Sequence, residues 1–133
     1  MKTITKTVHF NAPPEDVYDY LINPKKFSKI TGGKATNSMK EGGKFSFWDD
    51  YIWGTNVSLI PGKKIVQNWT CADFPDKHFS KVTFELEKKG EKQTELKLTH
   101  ENVPDDLFED LNEGWNHFYF EPIQDYIEDL MWN

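Results

Sequence analysis

Residues 103–130 read VPDDLFEDLNEGWNHFYFEPIQDYIEDL, and the spacing of their apolar side chains decides the fold. Trp115, Phe118, Tyr119, Pro122, Ile123, Tyr126, Ile127 and Leu130 recur at three- and four-residue intervals, the signature of one face of a helix. Glu121, Asp125, Glu128 and Asp129 fall off that face. Burying about six such side chains against a sheet would contribute ~10–18 kcal/mol gross, before entropy is subtracted. Val103-Pro104-Asp105 opens the helix and Gly114-Trp115 re-enters it. Pro122 removes one helical hydrogen bond, so a bend is expected near Phe118 to Pro122, one that wraps the helix around a curved sheet.

Working outward, everything upstream reads as strands and short helices. Ile4, Val8 and Phe10 alternate on one side of residues 3–10, the period of a half-buried strand. Ala12-Pro13-Pro14-Glu15-Asp16 breaks that strand and starts a helix, because prolines suit a first turn and acids favour its positive end. Asn23-Pro24 ends this helix, and a second short one is expected through Phe27 to Ile30 before Thr31-Gly32-Gly33 turns the chain. Six further strands follow, at Ala35–Met39, Lys44–Trp48, Tyr51–Ile60, Lys64–Thr70, Phe79–Glu87 and Thr94–His100. Glu41-Gly42-Gly43, Asp49-Asp50, Pro61-Gly62 and Lys89-Gly90-Glu91 are the hairpin turns. Connections this short make neighbouring strands antiparallel. The expectation is a single α+β domain over residues 1–133: a curved antiparallel sheet wrapped around a long C-terminal helix, with two short helices after the first strand.

Charge divides along the same line. Residues 1–100 hold all sixteen lysines against twelve acids, and residues 101–133 hold ten acids and no lysine, so the chain is +4 before the final segment and −10 within it. There is no arginine anywhere, hence none of the planar forks used for bidentate phosphate recognition, and nucleic acid is not expected as a partner. No run approaches ~18 consecutive apolar residues and the first residues lack a signal-peptide core, so membrane insertion is not expected and a soluble cytoplasmic chain is. The lone Cys71 excludes an internal disulfide.

Several segments together resemble a known family. They are Gly42-Gly43-Lys44-Phe45, Ile52-Trp53-Gly54, Leu59-Ile60-Pro61-Gly62-Lys63-Lys64-Ile65-Val66-Gln67-Asn68-Trp69, and Phe74-Pro75-Asp76-Lys77-His78-Phe79-Ser80. Thr94-Glu95-Leu96-Lys97-Leu98, Val103-Pro104, and Gly114-Trp115 followed by Tyr119-Phe120 continue the series. In order and spacing the chain resembles the C-terminal domain of the activator of the ninety-kilodalton heat-shock chaperone's ATPase, within the START-like, birch-allergen-like superfamily. The resemblance covers nearly the whole chain. It implies the helix-grip fold and a non-catalytic domain that acts by contact with a chaperone of the heat-shock protein 90 class.

Strand parity singles out what should face the space between sheet and helix. If Trp53 and Val57 point inward, so does Tyr51; Ile65 brings Gln67 and Trp69, Val82 and Phe84 bring Ser80, and Leu96 and Leu98 bring Thr94 and His100. An unpaired buried polar group costs ~1–3 kcal/mol, so polar residues on the inner face have two readings. In one, Gln67, Ser80 and His100 fix the polar end of a small hydrophobic ligand in a cavity walled by Tyr51, Trp53, Trp69, Phe84, Trp115 and Phe118. In the other they hydrogen-bond locally or sit in water at the strand ends.

Chemistry-bearing motifs are sparse. His9, His78, His100 and His117 show no metal-binding spacing, Cys71 has no nearby ligand partner, and neither metal nor cofactor is expected. His100 and Glu101 are adjacent on a strand and point to opposite faces, which prevents them from acting on one proton. A cavity enzyme of the cyclase or hydrolase type stands as a third reading, because folds of this kind host many chemistries. Asp105, Asp106, Glu109, Asp110 and Glu113 gain from the positive end of the helix, whereas Glu128 and Asp129 near its other end cost ~0.3–1 kcal/mol each. Solubility explains them, or, with Asp125, a face that docks on a lysine- or arginine-rich partner. Phe74, read as a loop-tip aromatic with little to pack against, is the second expected partner contact.

Overall fold

The computed structural model describes residues 1–132. In chain order it contains β1 (Lys2–Phe10), α1 (Pro14–Ile22), α2 (Pro24–Thr31), β2 (Thr36–Asn37), β3 (Lys44–Phe47) and β4 (Ile52–Ile60). Then come β5 (Lys64–Cys71), β6 (Ser80–Gly90), β7 (Gln93–Val103), α3 (Phe108–Trp115) and α4 (Glu121–Trp132). The strands form one seven-stranded antiparallel sheet in the order β1-β7-β6-β5-β4-β3-β2, so the first strand closes onto the last. The helices cover one face of this curved sheet, and the core of Phe10, Phe27, Ile65, Val82, Leu96, Leu98, Phe120 and Ile123 lies between the two layers.

Local chemistry accounts for the boundaries. Pro14 occupies the first turn of α1, followed by Glu15 and Asp16 at its positive end. Asn23 terminates α1 and caps α2, its side-chain oxygen accepting from the backbone N–H of Lys25 at 3.1 Å and of Lys26 at 3.4 Å. Gly32, at φ +82°, supplies the left-handed residue that ends α2. The strand expected over Ala35–Met39 shrinks to Thr36–Asn37, which limits the exposed sheet edge.

On β4 the expected parity fails. Ile52, Gly54 and Asn56 face the core, while Trp53 and Val57 are exposed on the outer face. Gly54 sits between Phe45 on β3 and Trp69 on β5, and a Cβ there would lie 3.0 Å from the Phe45 ring and 1.8 Å from the Asn68 carbonyl oxygen. The small residue thus lets two large neighbours fill the inner face. A bulge between Asn56 and Ser58 then shifts the register, so parity beyond it cannot be carried back to Trp53.

The C-terminal helix is interrupted as Pro122 requires. A π-helical turn spans Asn116–Phe120, and α4 begins immediately after it, with Pro122 in its first turn. The buried face carries Trp115, Tyr119, Phe120, Ile123 and Ile127, but Phe118 and Leu130, expected on that face, are exposed. The π turn brings Phe120 into the core in place of Phe118.

The β3–β4 turn holds an unusual backbone. Trp48, Asp49 and Asp50 have φ of +55°, +56° and +68°, a short left-handed run costing ~1–2 kcal/mol per residue. It is held by the Asp49 N–H donating to the Lys34 carbonyl at 3.1 Å, the Lys34 N–H donating to Asp49 Oδ1 at 3.1 Å, and Ser46 Oγ donating to Asp50 at 2.5 Å. The Trp48 ring lies over Gly33, where a Cβ would come within 2.7 Å of it.

Candidate functional site

Between the α3–π segment and the β3–β4 turn lies a groove of about 430 Å³. Asp110, Leu111, Gly114 and Phe118 form its helical wall, and Trp48, Tyr51 and Ile52 the opposite one. Trp69, Trp115 and Tyr119, all buried, make the floor. The groove is open to solvent along the rim, where Phe118 is 54% and Tyr51 37% exposed. Phe118 meets Trp48 edge-on, with ring centroids 5.3 Å apart, so the two walls touch at one end.

The floor is a continuous aromatic stack. Trp115 contacts Tyr119 at 4.6 Å and Trp69 at 5.8 Å between centroids. Behind it lies a closed polar relay. Trp115 Nε1–H donates to His100 Nδ1 at 3.1 Å, His100 Nε2 bonds Ser80 Oγ at 2.8 Å, and Ser80 Oγ–H donates to the Trp69 carbonyl at 2.8 Å. With Nδ1 accepting and the serine hydrogen committed, the histidine proton sits on Nε2 and every member is satisfied. Burial lowers the His100 pKa from 6.5 to about 3, so the ring is neutral. Gln67 is likewise spent: its amide donates to Asn56 Oδ1 at 3.2 Å, and Asn56 donates to Asn37 at 2.8 Å.

Of the expected cavity residues, the groove brings together Tyr51, Trp69, Trp115 and Phe118. Gln67, Ser80, Phe84 and His100 are buried elsewhere in the core; the local-bonding reading describes the three polar ones, because each finds its partners inside the protein. Trp53 does not wall the groove; it lies on the opposite face of the sheet, beside Phe79 over a separate pocket. Phe74 is not an exposed loop-tip contact: it is buried, because its ring packs on Trp69 at 5.7 Å and on His78 at 5.4 Å. Asp125, Glu128 and Asp129 are exposed on α4, and no ion pair holds them among the described residues.

Trp48, Ile52, Asp110, Leu111, Gly114 and Tyr119 belong to the groove without having been singled out as cavity residues. The positions 110, 111, 114, 115, 118 and 119 share one helical face, and that periodicity was available to find the helical wall. Trp48 is placed by a left-handed turn for which the two aspartates after it were the only signal. Its indole N–H is buried without a hydrogen-bond partner.

Three ionisable side chains line the groove: Asp110, Tyr51 and, in the floor, Tyr119, whose phenol burial keeps protonated. Asp110 is a carboxylate on the helical wall. The Tyr51 phenol donates to Asp73 at 2.6 Å, and burial first, then that bond, push its pKa upward, so it stays protonated. Such walls bind apolar surface and offer one negative charge for orientation. Among the described residues no group of three or more His, Cys, Asp or Glu side chains could hold a metal ion, and no helix is long and apolar enough to cross a membrane.

Residues 11–128 match the family model described as activator of Hsp90 ATPase homolog 1-like protein. The chain is 33% identical over 123 residues to an activator of 90 kDa heat shock protein ATPase homolog from Dictyostelium discoideum, covering 92% of this chain and 32% of the relative. It is 29% identical to homolog 2 of the same activator from Mus musculus, covering 90% of this chain and 36% of that one. The chain thus spans about a third of the length of the curated relatives it matches. Among solved structures, an HSP90 activator from Plasmodium falciparum superposes with a TM-score of 0.90 at 26% identity, covering 96% of this chain and 97% of that chain. Taken with the seven-stranded sheet and its final helix, these matches establish that the chain belongs to the activator of Hsp90 ATPase homolog 1-like family.

Proposed function

We propose that this chain is a non-catalytic binding domain that engages a chaperone of the Hsp90 class by protein contact, working as one unit in the cytoplasm. The observation that carries this reading is the family match over residues 11–128, reinforced by relatives that bear the activator's name. The charge distribution supports it. Asp125, Glu128 and Asp129 stand exposed on α4, unpaired within the described residues, and a lysine- or arginine-rich partner surface would complement them. Mechanistically, the domain acts by binding one conformation of the chaperone more tightly than another; a tenfold difference in affinity is worth about 1.4 kcal/mol of bias.

Isothermal titration of the chain into an Hsp90-class chaperone tests this. Affinity should fall as salt rises past the range where surface charges are screened, and should fall further when Asp125→Lys, Glu128→Lys and Asp129→Lys are combined. Heatless mixing at low salt, with no co-migration on a sizing column, would remove the protein-contact reading.

The groove favours a second reading, in which the chain carries a small hydrophobic molecule. Its volume of about 430 Å³ lies within the ~300–1,000 Å³ range of small-molecule sites. Native mass spectrometry before and after organic extraction discriminates the two, since a carrier would show a bound mass that extraction removes. A cavity enzyme is the third reading; it would have to work with the Asp110 carboxylate and the Tyr51 and Tyr119 phenols as the ionisable groups at the groove.

A further inference from the structure

We infer that the groove between α3 and the β3–β4 turn is an anchor site for a short segment of a partner protein, one that carries an aromatic or branched aliphatic side chain beside a lysine or arginine. This deepens the protein-contact reading and rests on it.

What the groove can recognise is set by its lining. Its floor of Trp69 and Trp115 offers flat apolar surface, and the half-exposed rings of Tyr51 and Phe118 frame the entrance. Buried aromatic anchors surrounded by such rims are where protein interfaces concentrate their affinity. The interior polar groups that would fix the head of a free ligand are consumed: His100 and Ser80 bond each other behind the floor, sealed from the groove by the two indoles.

The polar group open to a partner is Asp110, exposed, bordering the groove, and in no ion pair among the described residues. Opposite it, the Trp48 ring, on its left-handed backbone, adds apolar wall. Glu109 and Glu113 lie close by on the same helix, and the whole segment from Glu101 onward holds ten acids and no lysine. A fatty acid or any other anionic amphiphile would bring its charge into this negative field. A cationic side chain flanking an apolar anchor would be drawn to it. Charge complementarity therefore selects a basic, apolar peptide segment over a free anionic lipid.

The test uses the full chain and three blocked hexapeptides: one with phenylalanine flanked by two lysines, one with alanine replacing the phenylalanine, and one with glutamates replacing the lysines. Binding is read from amide chemical shifts. The lysine–phenylalanine peptide should shift resonances of residues 48–52 and 110–119 saturably, and the other two should bind at least ~10-fold more weakly. Asp110→Lys and Phe118→Ala, both at solvent-exposed positions, should each weaken that peptide about 10-fold while leaving the fold's spectrum intact. The uncharged probe N-phenyl-1-naphthylamine serves as the small-molecule control. If it binds the groove equally in the parent chain and in Asp110→Lys, and no basic peptide binds, the groove is a ligand pocket and the inference is overturned. A chaperone that binds the parent chain and Asp110→Lys alike overturns the inference while leaving the protein-contact reading standing. Asp110-dependent peptide binding without any affinity for the chaperone supports the groove assignment and overturns the chaperone as its source.

Discussion

Replacing His100 by glutamine should flatten the acid side of the stability profile. In the folded chain Nδ1 accepts from the Trp115 indole, so a proton arriving there would set two donors face to face in a fully buried site. Burial, which disfavours the charged ring, pulls the pKa down from 6.5 to about 3. Between those values the unfolded chain binds a proton and the folded chain does not, so stability rises with pH across the window. Read downward, the native state loses about 1.4 kcal/mol per pH unit once pH falls below ~6.5, and the loss is complete near pH 3. From pH 7.5 to pH 5 this one residue accounts for about 2 kcal/mol. Urea unfolding at pH 7.5, 6.5, 5.5 and 5.0, in the parent and in His100→Gln, isolates it, because other titrating groups are common to both. The variant should start about 1–3 kcal/mol lower at pH 7.5, from the disturbed relay to Trp115 and Ser80, and converge on the parent as pH falls. Parallel profiles offset by a constant would refute the neutral, relay-bound histidine.

Three further substitutions probe the scaffold of the site. Gly54→Ala would drive a Cβ to 1.8 Å from the Asn68 carbonyl oxygen and break the β4–β5 ladder, so a loss on the order of 3 kcal/mol or more is expected in denaturant unfolding. Gly33→Ala would press on the Trp48 ring at 2.7 Å; we expect a cost of about 1–3 kcal/mol and altered tryptophan emission, and unchanged emission would mean that Trp48 does not lean on Gly33. Lys77→Gly relieves an exposed residue at φ +61°, and thermal unfolding should show a gain of about 0.5–1 kcal/mol, where a loss would contradict the left-handed assignment.

The architecture was legible because two periods are written plainly into the chain. Alternation marks β1, β6 and β7, and the three- and four-residue spacing from Trp115 to Ile127 marks the helix that the sheet grips. On β4 side-chain size is a poor guide to direction. Trp53 is large but outward, since its neighbour Gly54 is the residue that makes room for Phe45 and Trp69 inside. No alternation rule anticipates the bulge at Asn56 and Ser58, which depends on pairing with β5. Phe74 was misplaced for a related reason: its loop folds back over the sheet, and loop position alone does not say where a side chain packs. The polar inner face at Gln67, Ser80 and His100 is visible in the strand parity, and in the fold each of the three has a hydrogen-bond partner inside the protein. What periodicity could not supply was the wall at Trp48, because three consecutive left-handed residues are set by Lys34 and Ser46 reaching in from other elements.

The central claim is that this domain biases a chaperone by contact. Steady-state ATP turnover of an Hsp90-class chaperone, measured while the chain is titrated at low salt, tests it most directly. The account predicts a saturable change in turnover that fades with added salt and is lost with Asp125→Lys, Glu128→Lys and Asp129→Lys combined. Turnover that stays constant through a large excess of folded chain, with no complex formed, would contradict it.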